Sequence, residues 1–378
     1  MLTRREFGKL ALTGLPTAAV AGGSSGLLRA LAQAKPNSLI EGVQIGTITY
    51  SYRSMPEESA EAVLKYVVDS GISAIELMGG PVESFAGAPS AERRGGGGDR
   101  GRAGERGRGE SPSDAPAPVM SGSWNGKPCA LPGEGRGGEG RGGGGGGGRG
   151  RGRGELTPEQ QAAQEQANKL KAWRTSVSMD PFKKLRKMYN DAGVTIYAWK
   201  QLNANMSDEE FEYIFNVAEA LGCTHTTLEL PTDAAQLKRI GDFALKKKIY
   251  AAYHTHTQGS MTAFDQAFEI SKGNTANVDF GHWVAAGNVG GTPMQFLEKH
   301  HARISSFHLK DRTTPQNCAL NLAWGTGETP IKPILQLVKK NNWTMPGSIE
   351  LEYDVPDGSN AVAEVRKCVE FCRAALTS

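Results

Sequence analysis

Eight short runs of β-branched and aromatic residues recur along the chain, and an amphipathic stretch follows each of them. The runs are 43–50, 74–78, 195–200, 226–230, 249–255, 277–280, 304–309 and 348–353. The stretches between and after them are 58–70, 158–192, 208–221, 234–248, 261–271, 293–302, 332–341 and 361–376. Residues 58–70 show the helical logic, with Ala62, Val63, Tyr66 and Val67 at i, i+3, i+4 spacing. Strand and helix in alternation require parallel strands joined by right-handed crossovers, and eight repeats close a barrel. The expected fold is therefore α/β, a (β/α)8 TIM barrel.

One segment breaks the alternation. Between Glu92 and Gly154 lie 25 Gly, 11 Arg and one Lys, against seven acidic residues. That composition cannot bury enough apolar surface to offset chain entropy, so 85–155 is expected to be a disordered insert after the second strand. Residues 92–154 carry +5 and the rest of the chain −2, so the formal net charge of +3 is no mark of a general nucleic-acid affinity. Arg-Gly repeats occur in RNA-binding tails, but residues 92–154 hold a single aromatic, Trp124. Contact with anionic envelope polymers, or no role, fits better. Without 1–34 and 85–155 the chain keeps 273 residues, close to the roughly 250 of one barrel. Gly without a three-residue period excludes collagen, and five Cys in 378 residues exclude a disulfide scaffold.

The N-terminus reads as an export signal over 1–34. Arg4-Arg5-Glu6-Phe7 precedes a weakly apolar run to Val20, with small residues around Ala30 to Ala34. It resembles a twin-arginine signal, which implies the twin-arginine export machinery as a partner and a periplasmic or otherwise exported protein. A protein folded in a reducing cytoplasm before export need not pair its cysteines. Cys368 and Cys372, four apart on the last helix, read as buried small apolar residues. Beyond the N-terminus no apolar run approaches the ~20 residues of a membrane span.

The chemistry is expected at the strand ends, where side chains alternate faces with period two. His254 and His256 share a face in Tyr-His-Thr-His, as do His308 and Lys310, and Glu350 and Glu352. Glu229 and Asp279 each sit between apolar neighbours. Five ionisable strand ends converging in one barrel would be costly to bury without a cation. Mixed imidazole and carboxylate donors suit a divalent Mn, Co, Zn or Fe ion. Lys200 and Trp199, ending the third strand, are candidates for a sugar-binding wall, and Glu76 for a substrate contact or a satisfied interior carboxylate. His225, His300 and His301 receive no role.

The ordered set Asp279-Phe280-Gly281-His282, Ala285-Ala286-Gly287, Arg303-Ile304, His308-Leu309-Lys310-Asp311, Gly325-Thr326-Gly327-Glu328 and Ser348-Ile349-Glu350 resembles the xylose isomerase-like barrels of the sugar phosphate isomerase/epimerase superfamily. That resemblance implies a metal site of Asp279, His308 and Glu350, with His254 standing where many relatives carry a glutamate. It places His282 and Lys310 at substrate hydroxyls or around the metal, with Glu352 one inward step from Glu350. Glu350, Glu229 and His256 are the implied proton-transfer groups. The activity implied is divalent-metal-dependent isomerisation or epimerisation of a sugar, keto-sugar or cyclitol through an enediolate. Two alternatives stand beside it. One is a lyase or dehydratase eliminating from a 3-keto-glycoside or inosose-like substrate; the other is a non-catalytic sugar-binding barrel. A phosphodiester-cleaving enzyme would need more metal ligands and a basic groove, which a balance of −2 does not supply.

Overall fold

The computed structural model describes residues 35–89, 122–129 and 157–378. The export signal of 1–34 and most of the 85–155 insert lie outside the described residues. Eight parallel strands close on themselves: β1 (Val43–Ile48), β2 (Ala74–Met78), β3 (Thr195–Lys200), β4 (His225–Glu229), β5 (Tyr250–His254), β6 (Asn274–Asp279), β7 (Ile304–Leu309) and β8 (Gly347–Ile349). Each pairs with the next in chain order, and β8 pairs with β1 to complete the (β/α)8 barrel.

Eleven helices are described around these strands: α1 (Ala60–Asp69), α2 (Gly79–Phe85), α3 (Pro158–Arg174), α4 (Asp180–Asp191), α5 (Asp208–Leu221), α6 (Ala234–Lys247), α7 (Asp265–Ile270), α8 (Phe280–Ala285), α9 (Pro293–His300), α10 (Ile331–Lys340) and α11 (Ala361–Thr377). Local chemistry sets their ends. Ser207 and Glu210 form a reciprocal capping box at the start of α5, and Gly222 ends it in the left-handed conformation. Ser59 caps α1 through the Ala62 N–H. Phe182, Leu185, Phe211, Phe215, Leu237 and Ile240 are fully buried in the apolar layer beneath the helices. Each such side chain stabilises the fold by about 1.5–3 kcal/mol relative to exposure. Cys368 and Cys372 are buried and free, as small apolar residues of α11.

Three expectations need correction. The single helix expected over 158–192 is two, because Asp180-Pro181 opens α4 with a proline at its start and disfavours continuation of the helix before it. Arg174, the last residue of α3, is buried against Glu83, with Nε to Oε1 at 2.8 Å, and Glu210 takes Nη1 at 3.3 Å. The final strand stops at Ile349, so Glu350 and Glu352 lie just past it.

The third correction falls inside the insert. Ser123–Trp124 and Lys127–Pro128 pair as a hairpin around Asn125-Gly126, both with positive φ. That dipeptide is the usual type I′ turn signal. Gly122 lies against the loop after β7, where an added Cβ would stand 2.0 Å from the Gln316 carbonyl oxygen. Cys129 is disulfide-bonded to Cys318 of that loop, across 189 residues of sequence. The cysteines that need not pair thus include one pair that does. A cross-link closing so long a loop stabilises by about 2–4 kcal/mol. Cys318→Ser is therefore expected to lower the thermal midpoint by about 5 °C, read by calorimetry against untreated and dithiothreitol-treated protein. An unchanged midpoint would mean that the cross-link carries no stability.

Candidate metal centre

Parallel pairing in register carries the strand-end side chains to one place. Glu229 lies beside His254, His254 beside Asn277, Asp279 beside His308, and Leu309 beside Ile349. The chain past Ile349 then brings in Glu350. One donor atom each from His254, Asp279, His308 and Glu350 lies within 4.8 Å of all the others, and all four residues are buried.

The barrel interior fixes the two imidazoles from below. His254 Nδ1 meets Asn277 Oδ1 at 2.9 Å, and an amide oxygen only accepts, so Nδ1 carries the proton and Nε2 is left as a donor to a metal. Asn277 Nδ2 donates to Glu76 Oε2 at 3.2 Å and to Ser306 Oγ at 2.6 Å. His308 Nε2 donates to Glu76 Oε2 at 2.8 Å, while its Nδ1 meets Glu350 Oε2 at 2.8 Å. Glu76 also accepts from Thr227 Oγ1 at 2.6 Å. Carboxylate and amide partners of this kind hold ligand histidines in the correct tautomer and orientation. Glu76 therefore contacts no substrate and is satisfied by His308, Thr227 and Asn277. Strand parity carried the signal for Asn277, which stands two residues before Asp279 on the same face.

Charge is concentrated here. Burial disfavours the His308 cation, but Glu76 and Glu350 outweigh it and push its pKa up to about 10. Burial would raise Glu76, yet His308 and Lys200 bring it down to about 2. Glu350 is likewise held well below the usual carboxylate range, because Lys310 and His308 overcome its burial. Asp279 moves the other way, raised by burial despite Lys310. Burial lowers His254 to about 3, with the Lys200 charge adding to the effect. Lys310 Nζ stands 3.0 Å from Asp279 Oδ2, 2.9 Å from Glu350 Oε2 and 3.0 Å from Glu352 Oε2. The α8 segment makes room for it: a Cβ on Gly281 would meet Lys310 Cγ at 2.1 Å. Asp279 caps the same helix through the His282 N–H at 2.7 Å.

The residues fit a divalent cation. Two neutral-capable imidazoles and two carboxylates form a donor set for a transition ion. Asp279 Oδ2 is buried and makes no hydrogen bond, with Lys310 Nζ at 3.0 Å and His308 Nδ1 at 3.9 Å to balance it. His254, His256 and His282 make a second close trio. That trio suits a cation less, since His282 Nδ1 accepts from Arg312 Nη1 at 2.6 Å and Nε2 lies 3.0 Å from Lys310 Nζ.

The other candidates divide. Glu229 Oε1 pairs with Lys200 Nζ at 3.2 Å, and Glu229 Oε2 lies 3.7 Å from His256 Nδ1, all three partly exposed. Burial would raise Glu229, but Lys200, His254 and His256 hold it at about 2. Glu352 is partly exposed and touches Lys310 alone among the carboxylate-bearing group. Trp199 is not a sugar-stacking wall. It faces outward, fully buried against Tyr213 of α5, because it alternates with Lys200 across the strand. His225 is a satisfied interior histidine, bonded to Thr224 Oγ1 at 2.8 Å and Ser306 Oγ at 2.9 Å.

Residues 171–375 match the family described as the xylose isomerase-like TIM barrel. The chain belongs to that family. Among solved structures, a sugar phosphate isomerase/epimerase from Parabacteroides distasonis is 14% identical, with 89% of this chain and 96% of that one covered and a TM-score of 0.52. A probable 3-DHS dehydratase from Bacillus anthracis is 12% identical, covering 87% and 98%, with a TM-score of 0.49. A 3-keto-D-glucoside 4-epimerase from E. coli is 12% identical over 52% of this chain and 85% of that one, with a TM-score of 0.41. At 14% identity the likeness to the first of these is one of fold. No curated protein matches the chain. Among the described residues no helix is long and apolar enough to cross a membrane.

Proposed function

We propose that this xylose isomerase-like barrel is a divalent-metal-dependent isomerase or epimerase of a sugar, keto-sugar or cyclitol, working through an enediolate. The observation that carries the reading is the buried group His254, Asp279, His308 and Glu350, held within 4.8 Å. A Mn, Co, Zn or Fe ion bound there would supply the positive charge that acidifies a C–H between carbonyl and hydroxyl. The chain's own part is proton handling. Glu229 backs His256 on one side, so His256 Nε2 is left to take or return a proton. Glu350, already bonded to His308 and Lys310, is the second acid/base candidate. His282, Lys310, Glu352 and Lys200 supply donors and acceptors for substrate hydroxyls at the rim.

Export through the twin-arginine machinery to the periplasm belongs to the same proposal. The Cys129–Cys318 disulfide supports it, since such bonds persist in oxidising compartments. The test is solvent exchange. Metal-loaded protein incubated in heavy water with ketohexoses, inososes and 3-keto-glucosides should place deuterium next to a substrate carbonyl. Exchange with loss of a β-substituent would assign the lyase reading instead. Binding with no exchange anywhere on the panel, unaffected by chelation, would leave a non-catalytic sugar-binding barrel.

A further inference from the structure

Residues 311–329 form a long excursion between β7 and α10, and Cys318 stands near its tip. Most of the excursion is held from within. Asp311 accepts from the main-chain N–H groups of Gly325, Gly327 and Thr329, and Glu328 accepts from Thr314 N and Asn317 Nδ2. Thr313 closes the tip, donating to the Asn317 carbonyl and accepting from Leu320 N. Within that turn Cys318 and Ala319 both take positive φ, +74° and +46°. Two adjacent non-glycine residues in the left-handed region persist only where their surroundings over-determine them. Here the surroundings include the insert hairpin. Cys318 is buried and bonded to Cys129, and Gly122 docks the same hairpin against the Gln316 carbonyl.

The same turn is tied to the candidate metal centre. Arg312 Nη2 donates to the Ala319 carbonyl at 2.5 Å, and Nη1 donates to His282 Nδ1 at 2.6 Å. His282 Nε2 lies 3.0 Å from Lys310 Nζ, which touches Asp279 and Glu350. Pro315 comes close to Gly287, just past α8, the helix that carries His282: a Cβ on Gly287 would stand 3.6 Å from Pro315 Cγ. A continuous line of contacts thus runs from the disulfide through Ala319, Arg312 and His282 to two of the four metal-site residues.

We propose that Cys129–Cys318 is a redox latch: closed by oxidation, it fixes the 318–319 turn and with it the place of His282 beside the metal group, and reduction releases both. Closure joins two thiols in one S–S bond and gives up two protons and two electrons, which a thiol oxidant takes. Opening needs a dithiol reductant. Its thiolate attacks Cys129 Sγ, because Cys129 is partly exposed and Cys318 is buried, and Cys318 leaves as a thiolate. The second thiol of the reductant then displaces Cys129 and completes the reductant's own disulfide. Under the export proposed above, the latch is open in a reducing cytoplasm and closes once the protein is outside. The inference goes beyond the isomerase reading and needs no substrate.

Hydrogen exchange of the full chain, read by mass spectrometry, tests it after oxidation with oxidised glutathione and after reduction with dithiothreitol. Exchange across 280–287 and 313–322 should quicken by about tenfold or more on reduction. The strands Thr195–Lys200 and His225–Glu229 should keep their protection. Cys129→Ser leaves the loop after β7 unaltered, so without any reductant it should match the reduced wild type and ignore dithiothreitol. That arm also separates opening of the latch from chelation of the metal by dithiothreitol. Unchanged exchange at 280–287 in both arms overturns the proposal. Faster exchange spread evenly over the barrel strands overturns it too, since the bond would then be a general staple. Two free thiols at Cys129 and Cys318 in the oxidised protein, found by alkylation, would do the same.

Discussion

His308→Ala is expected to leave the purified protein essentially metal-free, against about one divalent ion per chain expected of the wild type. The imidazole supplies one of four donors, and its removal also strands Glu76, a carboxylate with no exposure whose low pKa depends chiefly on that histidine. Glu76 would keep only Thr227 and Asn277 as partners. Breaking a buried charge pair from one side costs about 3–5 kcal/mol, so the variant should also melt well below the wild type. Asp279→Asn is the gentler companion, since it leaves the Glu76 network whole and removes charge at the ion. Elemental analysis after dialysis, with near-ultraviolet circular dichroism to establish folding, gives the answer. Retention of a full metal equivalent in both folded variants would rule out this site.

Glu350→Gln should reduce turnover by about 10²- to 10⁴-fold while substrate binding changes little, the loss typical of one general acid/base. The amide keeps an oxygen facing His308 but cannot accept a proton. Glu352→Gln is the internal comparison. Glu352 is two residues farther along, partly exposed, and within ion-pair reach of Lys310 alone, so its change should be the milder. Greater damage from Glu352→Gln would exchange the two roles. Normal turnover in both variants would move proton transfer to His256 with Glu229 behind it.

Much of this arrangement was legible because parity along a strand decides which side chains converge. His254, Asp279 and His308 end three consecutive strands on the inward face, and parallel register does the rest. Parity also should have separated Trp199 from Lys200, whose adjacent positions cannot share a face. What the sequence could not show was partnership across distance. Glu76 precedes His308 by 232 residues, and nothing local marks their bond. The Asn125-Gly126 turn and the Pro181 break were readable signals, masked by the surrounding composition and by a continuous polar helical pattern.

The floor beneath the metal group has a consequence for how such a protein changes over time. Glu76, Asn277 and Ser306 belong to strands, and they tie β2, β5, β6 and β7 into one bonded unit. Glu352, proposed above to meet substrate hydroxyls, stands elsewhere, on a segment beyond the barrel strands. Mutations that retune what the pocket accepts can therefore accumulate on such outer segments while the strands that carry the candidate metal group stay intact. A laboratory search for new sugar specificities should recover its productive variants there, and almost none at Glu76 or Asn277.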